Sequence, residues 1–186
     1  MNLTATQNTL PVLVPAPHPA RGMPTVDSQY LTFTLQDSVY GVDILQVREI
    51  IEYVRPSTVP MMPEFMHGVI NLRGHVVPVI DLVRRFGRGA TELRPRTCIV
   101  IVEVPTPAGP LALGILVDGV NTVLDLSPAQ IEPPPAFGAG LRRDFVQGMA
   151  RTDAGFIVLL HIAQVLAADE AESLAQAAQD AATSPS

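Results

Sequence analysis

The segment from His67 to Phe86, HGVINLRGHVVPVIDLVRRF, constrains the fold more than any other part of this chain. Its two arms, Gly68 to Leu72 and His75 to Ile80, are rich in Val and Ile, which suit a pleated, half-buried surface. Between them Arg73-Gly74 supplies the positive φ of a two-residue hairpin turn. With those residues as the turn, Ile70 faces Val77 and Val69 faces Pro78, whose missing N–H suits an edge or a break in the ladder. Asp81 ends the second arm, and Leu82 to Phe86 reads as one helical turn closed by Gly87. The charged tip reads either as an ordinary solvated turn residue or as a contact held out for a partner.

At 186 residues the chain can bury one core, or two small barrels sharing one. It is 47% hydrophobic with no Trp, so that core is aliphatic, built mainly from Val, Leu and Ile. A net charge of −6, with no basic run, argues against nucleic-acid binding. The longest apolar runs, Cys98 to Val102 and Phe156 to Leu160, fall far below the roughly 20 residues of a membrane span. The first residues lack the positive flank and continuous apolar core of a secretory signal, so cytoplasmic residence is expected. The only cysteine, Cys98, sits in the apolar run TCIVIVEV and reads as a buried, inert thiol.

Residues 1–27 contain five prolines without periodicity and read as a disordered arm, with room for a short docking motif. Residues 170–186, rich in Ala, Gln, Glu and Asp, read as a flexible tail that frays. Between them, short strand candidates recur with turn signals, the pattern of small all-β barrels. Tyr30 to Leu35 alternates as a half-buried strand, Asp37-Ser38 makes the turn, and Val39 to Asp43 returns. Ile44, Val47, Ile50 and Ile51 then fall at helical spacing, hinting at one or two helical turns before a further strand up to Pro56. After the polar linker Arg88 to Arg94 come strands Arg96 to Val104, Leu111 to Val117 and Val120 to Leu126. Ser127 caps a single helical turn, Phe145 to Arg151 pairs with Phe156 to Leu160, and Ile162 to Leu166 begins the last helix. About ten strands in two sets imply two small barrels, roughly 28–90 and 95–160, in an order that allows intertwining.

Chemistry is hard to find. There is no Gly-x-Ser-x-Gly elbow, and no glycine loop that could cradle a phosphate. His67 and His75 could approach across the hairpin, but lack a nearby cysteine or carboxylate to complete a metal site. Asp43, Asp81, Asp118 and Asp125 fall near strand ends, where carboxylates accept turn hydrogen bonds. No metal or other cofactor is expected.

The string NLRGHVVPVIDL resembles the signature of the bacterial chemotaxis coupling proteins, the CheW family. The likeness runs from about Gln29 to about Asp169, through YLTFTLQDSVYGVDILQVREI, LALGILVDGVNTVLDLSPAQIEPPP and RTDAGFIVLLHIAQVL. It implies a mainly all-β fold: two packed SH3-like five-stranded β-barrels with short helical turns and a C-terminal helix. It also implies a non-catalytic adaptor joining the cytoplasmic tip of a chemoreceptor (methyl-accepting chemotaxis protein) to the regulatory domain of a CheA-type histidine kinase, recruited to receptor arrays without inserting in the membrane.

Carried onto matching positions, the implied receptor-facing set is Val47, Glu49, Gly68, Arg73 and Val123, and the implied kinase-facing set is Gly114 and Val120. Each has a plain reading too: Val47 as core on its helical turn, Gly68 as room for a β-bend, Val123 as an inward strand residue. The resemblance further suggests that Glu49 and Arg73 lie close enough for an exposed ion pair. Competing readings are a regulator that binds only the kinase, a coupler in a twitching or other chemosensory pathway, and a small metal-dependent hydrolase using His67, His75 and an aspartate.

Overall fold

The computed structural model describes residues 24–134, 141–166 and 168–183. Most of the expected arm, residues 1–23, and most of the loop after Pro133 lie outside the described residues. The strands in chain order are β1 (Ser28–Leu35), β2 (Ser38–Asp43), β3 (Val47–Glu52), β4 (Met66–Leu72), β5 (His75–Asp81), β6 (Cys98–Thr106), β7 (Gly109–Val117), β8 (Gly119–Leu126), β9 (Ile131–Glu132), β10 (Val146–Thr152) and β11 (Gly155–Leu160). The helices are α1 (Leu82–Arg85), α2 (Ile162–Val165) and α3 (Ala168–Thr183).

These strands form a six-stranded sheet, β8-β1-β2-β11-β10-β9, and a five-stranded sheet, β3-β6-β7-β5-β4. The fold is therefore mostly β, with two SH3-like barrel subdomains. The barrels are interlocked rather than consecutive: β1 and β2 start the first sheet, β3 to β7 build the second, and β8 to β11 return to complete the first. The expected division near residue 90 thus falls within the five-stranded sheet. The linker looked like a boundary because it is polar, yet it is fastened to the body: Asp81 accepts from Thr91 N at 2.9 Å, and Gln36 Nε2 donates to the Arg88 carbonyl at 3.2 Å.

Side-chain alternation on the central strands explains why two sheets need three cores. In β6, Val100, Val102 and Val104 point into the core shared by the sheets, while Ile99 and Ile101 point into a smaller core with Val77, Val79 and Leu116. In β1, Leu31, Phe33 and Leu35 enter the shared core, while Tyr30 joins Leu126, Ile157 and Leu159 on the opposite face. The expectation of a half-buried first strand is corrected accordingly, since even Thr32 is buried, its hydroxyl donating to the Thr122 carbonyl at 2.7 Å.

Three local readings also change. The first turn is Gln36-Asp37, one residue earlier than expected, with Gln36 at φ 54°. The helical spacing after Asp43 yields only a 3-10 turn, Ile44–Gln46, and Val47 opens β3, because edge pairing with β6 outweighs a short periodic signal. The expected frayed tail is helix α3, whose Ala171, Leu174, Ala177 and Ala178 are buried. Its contacts are almost all alanine-sized, so composition shows little of the burial. The helix is anchored at its start by Glu170, which accepts from Arg85 at 3.0 and 2.7 Å, while Arg85 Nε donates to the Val165 carbonyl at 2.7 Å.

Candidate partner-docking site

β4 and β5 pair in the register that the turn assignment requires, Val69 opposite Pro78 and Ile70 opposite Val77. At the tip Arg73 has φ 49° and Gly74 φ 85°, the paired positive angles of a type I′ turn, and Asn71 Oδ1 accepts from Gly74 N at 2.9 Å. That geometry sends the Arg73 side chain across to the β3 edge. There Nη1 and Nη2 donate to the two carboxylate oxygens of Glu49 at 2.9 and 2.8 Å. The Arg73 side chain is still 76% exposed, against 25% for that of Glu49, so the arginine is the more solvent-facing member of the pair. Arg48 makes a second exposed pair beside it with Glu103 of β6. Nothing local in the sequence links Arg48 with a residue so distant in the chain, and sequence reasoning missed this second pair.

A groove of about 720 Å³ opens next to these pairs, between the β4–β5 tip, the β6–β7 strands and α3. The other expected site residues are spread more widely. Val47 lies on β3 but packs against the shared core opposite Val102, because the register shifts between Val47 and Glu49. Val123, 42% exposed, and half-buried Val120 sit on β8, the edge of the other sheet. Gly68 lies toward the base of the hairpin at φ 146°, where a Cβ would stand 2.5 Å from the Ser57 carbonyl oxygen. Backbone approach dictates glycine there, since Ser57 and Val69 exchange hydrogen bonds of 2.8 and 2.9 Å.

Gly114 is buried in the middle of β7, where a Cβ would meet Ile99 Cγ2 at 2.8 Å and Val79 Cγ2 at 3.0 Å. Backbone approach therefore favours glycine at this position whatever meets the outer face of β7.

The histidines are not a pair. His75 stands beside the tip opposite Leu72, and His67 is five residues away along β4, about 17 Å at strand rise. Among the described residues, no group of three or more His, Cys, Asp or Glu side chains could hold a metal ion. Asp43 and Asp118 serve backbone geometry, accepting from Leu45 N at 2.9 Å and Gln36 N at 2.5 Å, while Asp125 accepts from the Gln29 side chain at 2.8 Å. Burial raises the Cys98 thiol pKa, which suits an inert role.

His67 carries a consequence for stability. Burial pushes its pKa below the ordinary 6.5, outweighing nearby Asp81, and the Tyr53 hydroxyl lies 3.2 Å from Nε2. The unfolded chain therefore binds this proton more readily, so the contribution is complete above about pH 6.5 and declines as pH falls through the folded value. Thermal melts of wild type and His67→Gln between pH 7.5 and 5 are expected to show the wild type losing more of its melting temperature. Parallel curves would remove His67 as the cause.

Interlocked barrels that hold an exposed charge pair on a rigid tip, beside a partly apolar groove, form a docking scaffold. The family model described as CheW-like domain matches residues 29–170. The chain belongs to the CheW family of chemotaxis coupling proteins, which are non-catalytic adaptors. It is 35% identical over 146 residues to the chemotaxis protein CheW of Klebsiella aerogenes, covering 78% of this chain and 86% of that protein. It is 32% identical over 147 residues to the probable chemotaxis protein CheW of Rhizobium etli, covering 79% and 92%. The crystal structure of the scaffolding protein TtCheW from Thermoanaerobacter tengcongensis superposes with a TM-score of 0.69 at 34% identity, covering 77% of this chain and 96% of that one.

Proposed function

We propose that this adaptor joins the cytoplasmic tip of a chemoreceptor to the regulatory domain of a CheA-type histidine kinase, so that receptor state controls autophosphorylation. In this reading it resides in the cytoplasm and is held at membrane receptor arrays by its partners; among the described residues no helix is long and apolar enough to cross a membrane. The observation that carries the reading is Arg73. A left-handed backbone at a non-glycine residue costs roughly 1–2 kcal/mol, and Asn would suit this turn better. The exposed ion pair returns only about 0–1 kcal/mol. A costly residue kept at a solvent-facing tip is what a contact for a partner requires.

Glu49 orients the guanidinium, and Val47 and Val123 extend the receptor-facing set on either sheet. Gly68 lets the hairpin base close on Ser57. The kinase-facing set is Val120, on the β8 edge, together with Gly114 in β7.

The test is kinase autophosphorylation in membranes carrying the cognate receptor, with wild type, Arg73→Ala or no adaptor. Wild type is expected to activate and Arg73→Ala to fail, while the melting temperature shifts by no more than about 3 °C. Arg73→Asn is expected to melt at or above the wild-type temperature and still fail to activate. Loss of fold together with activity would make Arg73 structural, and no response to wild type would favour a kinase-only regulator or another pathway.

A further inference from the structure

Each sheet ends in two terminal strands, and an unpaired edge is a template for further pairing unless it is short, charged or covered. Three of the four are guarded in one of these ways. β9 has two residues, β4 is met by Ser57, which exchanges hydrogen bonds with Val69, and β3 carries Arg48, Glu49 and Glu52. β8 has none of these protections. It runs for eight residues, GVNTVLDL, and pairs only with β1 among the described residues. Its single charge, Asp125, is engaged by the Gln29 side chain, and Asn121, Thr122 and Val123 are exposed at its middle.

The chain itself carries a segment suited to that edge. β1 and β8 are antiparallel with Ser28 opposite Leu126, so the residues before β1 emerge beside the end of β8. Ahead of them stands Thr9 to Val14, TLPVLV, rich in Val and Leu, and from 1 to 20 there is no Asp, Glu, Lys or Arg to be desolvated against Val123. Pro11 fits a terminal strand with its nitrogen turned outward, which leaves Leu10, Val12 and Val14 to direct N–H and C=O toward β8. From Val14 to Pro24 the chain reaches about 35 Å, more than the whole length of β8, about 26 Å.

We propose that residues 9–14 add to the outer edge of β8 as a further strand of the six-stranded sheet, an intramolecular cover that a partner using Val120 or Val123 must displace. The pairing rests on the open edge and the reach of the chain, and the displacement rests on the proposed roles of those two positions. Tethering gives the segment an effective concentration on the order of millimolar, so backbone pairing too weak to hold a free peptide still covers β8 and still yields to a partner.

The experiment is amide hydrogen exchange of the full chain, wild type against Val12→Pro, which removes one inward N–H outside the described fold, with receptor and kinase affinities measured on the same proteins. In wild type, the amides of residues 9–14 and the outward amides of β8 are expected to exchange about tenfold more slowly than in Val12→Pro, at every protein concentration. Tenfold protection leaves roughly one molecule in ten uncovered, so Val12→Pro is expected to bind the partner that uses β8 about tenfold more tightly. Exchange of residues 9–14 at the rate of an unstructured peptide, or equal protection of β8 in both proteins, overturns the pairing. Protection that grows with protein concentration makes the occupant the same segment of a second copy and overturns the intramolecular cover. Protection lost in Val12→Pro with both affinities unchanged leaves the added strand standing, overturns the displacement and removes Val120 and Val123 from the docking positions.

Discussion

Gly114→Asp is expected to lose most of its folded population, and with it binding to every partner. The new Cβ would stand 2.8 Å from Ile99 Cγ2 and 3.0 Å from Val79 Cγ2, both on fully buried β-branched side chains that cannot swing aside. Overpacking of this kind costs about 1–3 kcal/mol. A carboxylate in the small core formed by Ile99, Ile101, Val79 and Leu116 has no cation to pair with there and adds several kcal/mol. Against a total stability of about 5–15 kcal/mol the sum is large, and the melting temperature should fall by about 10 °C or more. Gly114→Ala should fall by less, since it carries only the packing penalty. Circular-dichroism melts of the two variants check this, and a Gly114→Asp protein that melts like wild type would show that β7 can shift to make room. The same arithmetic means that lost kinase binding in this variant reports on folding before it reports on a contact.

Asp81→Ala is expected to cost about 3 kcal/mol, lowering the melting temperature by about 6–12 °C. Asp81 is 1% exposed and saturated with hydrogen bonds. Its Oδ1 caps α1 by accepting from Val83 N at 2.9 Å and Arg84 N at 3.3 Å, and also accepts from the Thr91 hydroxyl at 2.8 Å. Its Oδ2 accepts from Thr91 N at 2.9 Å. Removing the carboxylate removes the cap and orphans the Thr91 donors, releasing α1 and the 88–94 linker together. Asp81→Asn keeps one acceptor oxygen and should recover part of the loss. Equal melting temperatures for wild type and Asp81→Ala would mean that water replaces the carboxylate without cost.

Asp81 also shows how far sequence reasoning reached. Its role as the end of a strand and the start of a helical turn was readable, because both depend on neighbours within three residues. Its bond to Thr91 was not, since no pattern says where a polar linker will fold back. The tail shows the same limit from the other side. Ala171, Leu174 and Ala177 have helical spacing, but alanines signal burial weakly, and only the packed β5 and β6 surface makes them core.

What the sequence determined by itself is local: the hairpin with its register, the positive φ at Arg73-Gly74, the strand end at Asp81 with a helical turn after it, and the absence of a nucleophile elbow or phosphate loop. These follow from turn chemistry and a period of two, both written within a few residues. Only the tertiary structure decided that β1 and β2 leave their neighbours to join β8 and β11. It also decided that Gly114 faces inward, that Arg48 meets Glu103, and that α3 walls a groove beside Arg73. Those outcomes depend on which buried faces match in shape across long stretches of chain. A strand's pattern states that a face must be covered, and leaves the covering element to the packing of the whole.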